Sequence, residues 1–292
     1  MNRRSHSVWF LLAPAALILG VFVVWPLIRA LYWSWMDAEL LNPGAAEWTR
    51  ADNYSYLLSD PQFRQAFMNT ARFCLMVVPI QAALAFFLAM WVNRPEAYWR
   101  WLRTVFFIPV VVSMPVLAVL WTMLYQPVEG GEAGLINSIL LQIGIPDQRW
   151  LQDPHLALPA LAFMSIWQGV GFQMMIFLAG LQQLSADQLE AARIDGANAL
   201  QRLWHVILPA MRNSILFVLI TTTILAFRLF VQPYLMTRGG PQNRTLSLIQ
   251  YLYEMTFIHR ELGLASAGAI LFLLLVAVIT LIQRALNQEV QE

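Results

Sequence analysis

Apolar residues along this chain gather into long blocks, without the one-in-two or one-in-three-to-four stripes of a water-facing fold. Six blocks are long enough to cross a bilayer as a helix, which takes about 20 residues; they run roughly over 8–35, 67–92, 101–125, 156–181, 215–235 and 262–282. Prolines inside them (Pro14, Pro26, Pro79, Pro109, Pro115, Pro159) fit membrane helices, where neighbouring groups take up the freed carbonyls. Trp25, Trp33, Trp35, Trp91, Trp99, Trp101 and Trp121 fall near the block ends, as an aromatic belt would place them. The two longest connections, 36–66 and 126–155, are polar and turn-rich, and too short for separate domains. The first block runs on without a small-x-small end, so it reads as a retained helix and not a cleaved leader. The pattern therefore predicts one all-α integral membrane domain over 1–292.

Composition agrees. Hydrophobic residues make up 59% and charged residues 12%, against about 25% charge in a soluble domain. The net charge of +1 argues neither way on nucleic acid, and the lack of basic clusters with interleaved aromatics sets it aside. All 18 basic residues are arginine, and a phosphate-binding loop of the G-x-x-x-x-G-K-[ST] type needs a lysine, so that ATPase chemistry is excluded on this chain. Cys74 lies in an apolar block, as a buried and inert thiol would. His6, His155, His205 and His259 show no metal-ligand spacing. Placing the N-terminus inside puts Arg3, Arg4, Arg94, Arg100, Arg103, Arg193, Arg202, Arg212 and Arg284 in the cytoplasm. Arg50, Arg64, Arg149, Arg238, Arg244 and Arg260 then lie outside. Nine against six is the bias expected of a chain with both termini cytoplasmic.

The cytoplasmic connection 182–213 is amphipathic. Ser185 followed by Gln188 is a capping-box pattern that predicts a helix from Ala186 through Ile194. Asp195-Gly196 stops it, because glycine enters the left-handed conformation of a helix C-cap at no steric cost. A second helix, about 199–207, is expected to end at Leu208-Pro209. The result is a helix–turn–helix outside the membrane, joined to two spans.

Polar groups inside the spans mark a second region. A charge at the bilayer centre costs about 2.5–3.5 kcal/mol on insertion scales and so should face the bundle interior or water. Arg228 sits in the fifth block, with Gln232 four residues later on the same expected helical face; Ser165, Gln168, Gly169 and Phe172 share a face of the fourth. For Gln168 and Gln232 an interhelical hydrogen bond is the plainer alternative. For Arg228 it is pairing with a carbonyl or a partner subunit, and Gln81 and Gln173 read as packing contacts.

Glu190-Ala191-Ala192-Arg193-Ile194-Asp195-Gly196-Ala197, followed by Ile207-Leu208-Pro209, resembles the E-A-A…D-G-A…I-x-L-P signature of binding-protein-dependent ABC importer permeases. Leu12-Ala13-Pro14, Trp25-Pro26-Leu27, Asn53-Tyr54 with Leu57, Asn69-Thr70, Arg103-Thr104-Val105-Phe106-Phe107-Ile108-Pro109 and Thr237-Arg238-Gly239-Gly240-Pro241 are similar to the sugar and glycerol-phosphate branch. Within that branch the chain resembles the larger maltose-importer permease and the first glycerol-phosphate permease. The resemblance implies a six-helix type I ABC importer transmembrane domain with a cytoplasmic coupling helix–turn–helix, in a bacterial or archaeal plasma (inner) membrane. It implies as partners a second permease, normally a paralogue, two ATP-binding subunits that hold ATP and Mg, and a periplasmic or lipid-anchored solute-binding protein. This chain itself would carry no cofactor and no catalytic centre.

The same resemblance assigns roles. Glu190, Ala191, Ala192, Asp195, Gly196, Leu208 and Pro209 would couple the spans to the ATPase: small alanines allow close approach, Glu190 offers an acceptor, and Gly196 sets the angle between the helices. Ser165, Gln168, Gly169 and Phe172 align with positions where the maltose type contacts its sugar, and amides and a hydroxyl beside an aromatic ring suit that task. Leu225, Ala226 and Leu229 depart from the pattern, being apolar where the maltose type is polar, which implies passage more than tight binding. His205 could touch the ATPase, or simply be solvated. The rival reading is a secondary transporter or channel, which would usually show repeats and intramembrane carboxylates; neither is evident, and an intramembrane enzyme would need buried catalytic groups that the spans lack.

Overall fold

The computed structural model describes residues 12–129 and 131–288, so the beginning of the first predicted span, 8–11, and Arg3, Arg4 and His6 lie outside the described residues. The chain divides into two compact units, Met1–Arg64 with Tyr251–Ala277 and Gln65–Gln250 with Val278–Glu292.

In the first unit, helix α1 (Leu12–Trp33) is apolar and exposed along its length, with Leu17 and Phe22 pointing outward as lipid-facing side chains would. A π turn at Gly20–Val24 sits just before Pro26. Pro26 has no N–H to give the preceding turn, and the wide turn lets the Trp25 N–H bond the Gly20 carbonyl. A small hairpin, β1 (Met36–Asp37) against β2 (Glu47–Trp48), pairs Met36 with Trp48, and α2 (Asp52–Ser59) follows. The Asn53 amide donates to the Ser34 and Met36 carbonyls at 3.1 and 2.8 Å, and the Tyr54 hydroxyl to Ser34 Oγ at 2.7 Å. The connection 36–66 is thus folded structure. The second membrane helix, α3 (Pro61–Val92), starts earlier than the predicted residue 67. Asp60 explains this: its carboxylate accepts from the Gln62 and Phe63 N–H groups at 2.9 and 3.1 Å, and Pro61 stands where a missing N–H costs nothing. Asp60 also accepts from the Tyr251 hydroxyl at 2.6 Å, and burial together with this bond pushes the Tyr251 phenol well above its ordinary pKa.

In the second unit the predicted third span, 101–125, is not one helix. It is a pair, α4 (Ala97–Val111) and α5 (Met114–Leu124), bent by 99°. The cause is Pro115, whose ring occupies the place of the residue 111 carbonyl and which offers that carbonyl no donor. Helix α6 (Leu135–Gln142) lies in the connection 126–155, where the buried Asn137 donates to the Gln126 and Gln148 carbonyls and accepts from the Gln148 N–H and Trp150 Nε1. The long α7 (Ala157–Gln182) is the most buried helix of the described residues. After it come α8 (Ala186–Ile194), α9 (Ala199–Arg202), α10 (Arg212–Phe227) and α11 (Val231–Met236). The last two helices of the described residues are α12 (Leu248–Phe257) and α13 (Leu262–Gln288).

The core of this unit packs Ala85, Phe86 and Ala89 of α3 against Met174, Phe177 and Leu178 of α7. Helix α4 crosses α7 at Gly171, where any Cβ would collide with the Phe106 carbonyl. Arg103 forks from α4 onto the Val92 carbonyl at 2.6 and 3.0 Å and the Arg94 carbonyl at 2.6 Å, closing the C-terminal end of α3 with a cation. Asn69 donates to the Asn243 and Leu246 carbonyls, and Thr70 Oγ1 accepts from the Leu248 N–H, so these two side chains pin the turn after α11. The Arg103 and Asn69-Thr70 motifs are accounted for by these carbonyl and amide contacts.

Candidate functional site

Four helices of the second unit, α3, α7, α10 and α11, surround a cavity of about 400 Å³, with Val110 and Met114 at the α4–α5 bend completing its wall. All six expected path residues, Ser165, Gln168, Gly169, Phe172, Arg228 and Gln232, line it. Two of them arrive by a different route than expected. The predicted fifth span, 215–235, is broken after Phe227, so Arg228 and Gln232 do not share a helical face. Arg228 sits in the break, where Phe230 adopts a non-helical backbone, and Gln232 lies in the first turn of α11. Pro233 favours the break: it has no N–H for the Leu229 carbonyl, and it sits in the first turn of α11, where a missing N–H costs little. That proline was the available signal in the sequence.

The cavity's polar groups fall into two sets. Gln232 Nε2 donates to Ser165 Oγ at 3.2 Å, and Ser165 donates to the Leu161 carbonyl at 2.9 Å, which is the interhelical contact weighed above for Gln232. Behind them runs a ladder: Gln81 Nε2 donates to Gln173 Oε1 at 2.6 Å, Gln173 Nε2 to Thr222 Oγ1 at 2.7 Å, and Thr222 to the Val218 carbonyl at 2.6 Å. It ties α3, α7 and α10 together, and Gly169 lies beside it, where a Cβ would push on the Gln81 amide. Thr222 was not singled out from the sequence. The Thr221–Thr223 run inside an apolar block is the pattern that marks it. Gln168 and Arg228 form the second set: among the described residues neither side chain makes a hydrogen bond or ion pair, and both face the cavity. Leu225, Ala226 and Leu229 line it as apolar wall.

The connection 182–213 forms an exposed elbow. Helix α8 starts at Ala186 as expected, but the Ser185 hydroxyl makes no cap bond and the Ser185–Gln188 capping box does not form. The start of α8 is exposed, so water competes for its free N–H groups. The capping box lies instead at Asn198–Gln201, where the two side chains bond each other's backbone N–H at 2.9 and 2.8 Å. At the end of α8, Gly196 takes φ +78°. Its N–H bonds the Arg193 carbonyl at 3.1 Å and the Ala197 N–H bonds the Ala192 carbonyl at 3.0 Å, the paired contacts of a Schellman motif.

The second arm does not stop at Leu208-Pro209. It passes through a π turn, Leu203–Ile207, into a further turn, Leu208–Ala210. The Leu208 N–H reaches back to the Leu203 carbonyl, which accommodates Pro209 as the corresponding turn accommodates Pro26. Leu203, Ile207 and Leu208 pack against the core and anchor this arm. Glu190, Ala191, Asp195, Gly196 and Pro209 are exposed, and Ala192 and Leu208 are half-buried. Ile194, 81% exposed, Leu200 and Trp204 are exposed apolar side chains on the elbow.

Apolar helices around a cavity that holds a few polar groups, with a capped elbow projecting from them, define a multi-pass membrane protein of the transporter class. The chain belongs to the family of binding-protein-dependent transport system inner membrane components, which matches residues 67–292. It is 35% identical over 267 residues to the probable ABC transporter permease protein YesP of Bacillus subtilis, covering 89% of this chain and 84% of that protein. It is 32% identical over 289 residues to the lactose transport system permease protein LacF of Rhizobium radiobacter, covering 96% and 94%. It is 31% identical over 270 residues to the sulfoquinovosyl glycerol transport system permease protein SmoG of Agrobacterium fabrum, covering 92% and 86%. The fold is that of a type I ABC importer permease. It superposes with a TM-score of 0.84 at 20% identity on a chain of a bacterial alginate ABC transporter, solved in complex with an alginate pentasaccharide-bound periplasmic protein, covering 99% of this chain and 96% of that one. The protein is therefore a non-catalytic inner-membrane permease subunit of an ABC transporter, and this membership sets aside the self-sufficient secondary transporter.

Proposed function

We propose that residues 1–292 act as one permease domain forming half of the translocation path of a carbohydrate importer. The other half is a second permease, a paralogue of this chain. Two ATP-binding subunits carry ATP and Mg, and a periplasmic or lipid-anchored binding protein delivers the solute. Both termini face the cytoplasm, as the arginine distribution favours. The observation that carries this reading is the elbow: α8 closes in a Schellman motif, the following arm is anchored in the core, and the coupling residues Glu190, Ala191, Asp195 and Gly196 stay outside.

A lever has to be stiff, and capped short helices transmit displacement where a floppy loop would absorb it. When the ATP-binding subunits close, they pull the elbow, tilt α7 and α10 and change which end of the path is open. Carbohydrate is favoured by the names of the relatives, which include transporters of lactose, sulfoquinovosyl glycerol and arabinooligosaccharides. The cavity supports the same reading, with the Gln168 amide beside the Phe172 ring.

The test is to purify the chain from its native membrane and measure ATP turnover on adding binding protein and a carbohydrate panel. Stoichiometric recovery of ATP-binding subunits and solute-stimulated turnover are expected, and Glu190→Lys should remove the stimulation while leaving the permease inserted. Transport by the isolated chain, or normal coupling in the Glu190→Lys variant, would overturn the reading.

A further inference from the structure

The cavity has one charged side chain among the described residues that line it, Arg228, and no carboxylate beside it. The guanidinium is exposed to the cavity, in the break between α10 and α11, with no hydrogen-bond or ion-pair partner among the described residues. Apart from Gln168, the amide donors that line the cavity are committed: Gln232 to Ser165, Gln81 to Gln173, and Gln173 to Thr222. The walls at Leu225, Ala226 and Leu229 are apolar, so the field of the cation is weakly screened. A charge kept inside a membrane segment needs a counter-charge or water to offset its desolvation.

Arginine presents donors only, in a planar fork that matches a carboxylate, sulfonate or phosphate. A neutral sugar hydroxyl is best held by groups that both accept and donate, and Gln168 is the one uncommitted amide facing the cavity. We propose, resting on the carbohydrate-importer reading above, that the solute crossing this cavity is an anionic carbohydrate whose acidic group meets Arg228 while its hydroxyls meet Gln168 and its ring passes Phe172. The geometry selects by charge at one point and tolerates variation elsewhere, because the remaining lining is apolar or already bonded.

The experiment uses the full complex with its binding protein in proteoliposomes. ATP turnover and uptake are measured with galacturonate disaccharide, a sulfonated hexose glycoside and a hexose phosphate, each against its neutral parent sugar. At least one acidic probe is expected to stimulate turnover over its neutral parent, and Arg228→Gln should raise its apparent KM at least about tenfold, the worth of a charge-assisted contact. Arg228→Lys should recover part of that loss, with complex yield unchanged in both variants. Which acidic probe responds separates carboxylate, sulfonate and phosphate. Stimulation by neutral sugars alone, indifferent to Arg228→Gln, would overturn the anionic assignment and leave the carbohydrate reading standing. Silence toward every carbohydrate, acidic or neutral, would overturn both. Loss of complex yield in Arg228→Gln, with unchanged KM in the complexes that do form, would make Arg228 a subunit contact and also sink the proposal.

Discussion

The elbow and the amide ladder belong to the same unit, yet they are held by opposite means. In the elbow the fixing bonds are short in sequence: Gly196 to Arg193, Ala197 to Ala192, Asn198 with Gln201. In the ladder, Gln81 meets Gln173 across 92 residues and Gln173 meets Thr222 across 49. The elbow is exposed and keeps its shape through its own backbone; the ladder is buried and exists only once three helices have packed. Damage to the first should therefore stay local and appear in coupling, whereas damage to the second should appear in folding and assembly. Each substitution below separates these two outcomes.

The largest effect is expected at Gly196. Proline there fixes φ near −65° where the backbone needs +78°, and it removes the N–H that bonds the Arg193 carbonyl. The cost of about 3 kcal/mol corresponds to roughly a hundredfold loss of the coupled conformation. Solute-stimulated ATP turnover and uptake should fall by that factor, while the amount of permease in the membrane stays at the wild-type level. Normal uptake would show that the elbow is not the lever.

Next comes Gly171. Alanine there drives a Cβ into the Phe106 carbonyl and forces α4 away from α7. Overpacking of this kind costs about 1–3 kcal/mol, so the variant should lose thermal stability in detergent and be recovered in lower yield. If its stability is unchanged but its coupling is lost, the contrast between the two regions fails. Gln173→Leu follows, because it strands the Gln81 donor and leaves Thr222 without its amide partner. Interhelical hydrogen bonds in membranes average about 0.6 kcal/mol, so the loss of two should lower the unfolding midpoint slightly while turnover per assembled complex is retained.

What could be seen in the sequence divides along the same line. Gly196, the limits of α8, and the broad positions of the spans follow from local rules of capping, apolar run length and proline placement. The bend before Pro115 and the break before Pro233 obey the same rule, but a long apolar run outweighs a single proline when only hydropathy is counted. The gathering of Ser165, Gln168, Phe172 and Gln232 at one cavity was legible as face periodicity on α7, although Gln232 reaches it from a separate helix. That Gln81 and Gln173 join helices was legible, but their pairing with each other and with Thr222, and the close crossing at Gly171, were not, because each depends on partners far away in the chain. Arg103 illustrates the boundary: its motif is visible in sequence, and its target, the carbonyls that end α3, is visible only in the packed structure.

The smallest effect separates two serviceable-looking caps within the elbow itself. Ser185 and Gln188 have the spacing of a capping box and do not form one; Asn198 and Gln201 do. Removing a cap that is made costs about 1 kcal/mol, so Asn198→Ala should loosen the arm that carries Leu203 and Ile207 into the core. Coupled turnover should then fall by about fivefold, the equivalent of that energy. Ser185→Ala removes a hydroxyl with no cap bond to lose, and turnover should remain within about twofold of wild type, as for a surface change of under 0.5 kcal/mol. Measured side by side in the same complex, the two alanine variants rank the arms. If Ser185→Ala is the more damaging, stiffness resides at the start of α8, and the anchored second arm is only a tether between α8 and α10.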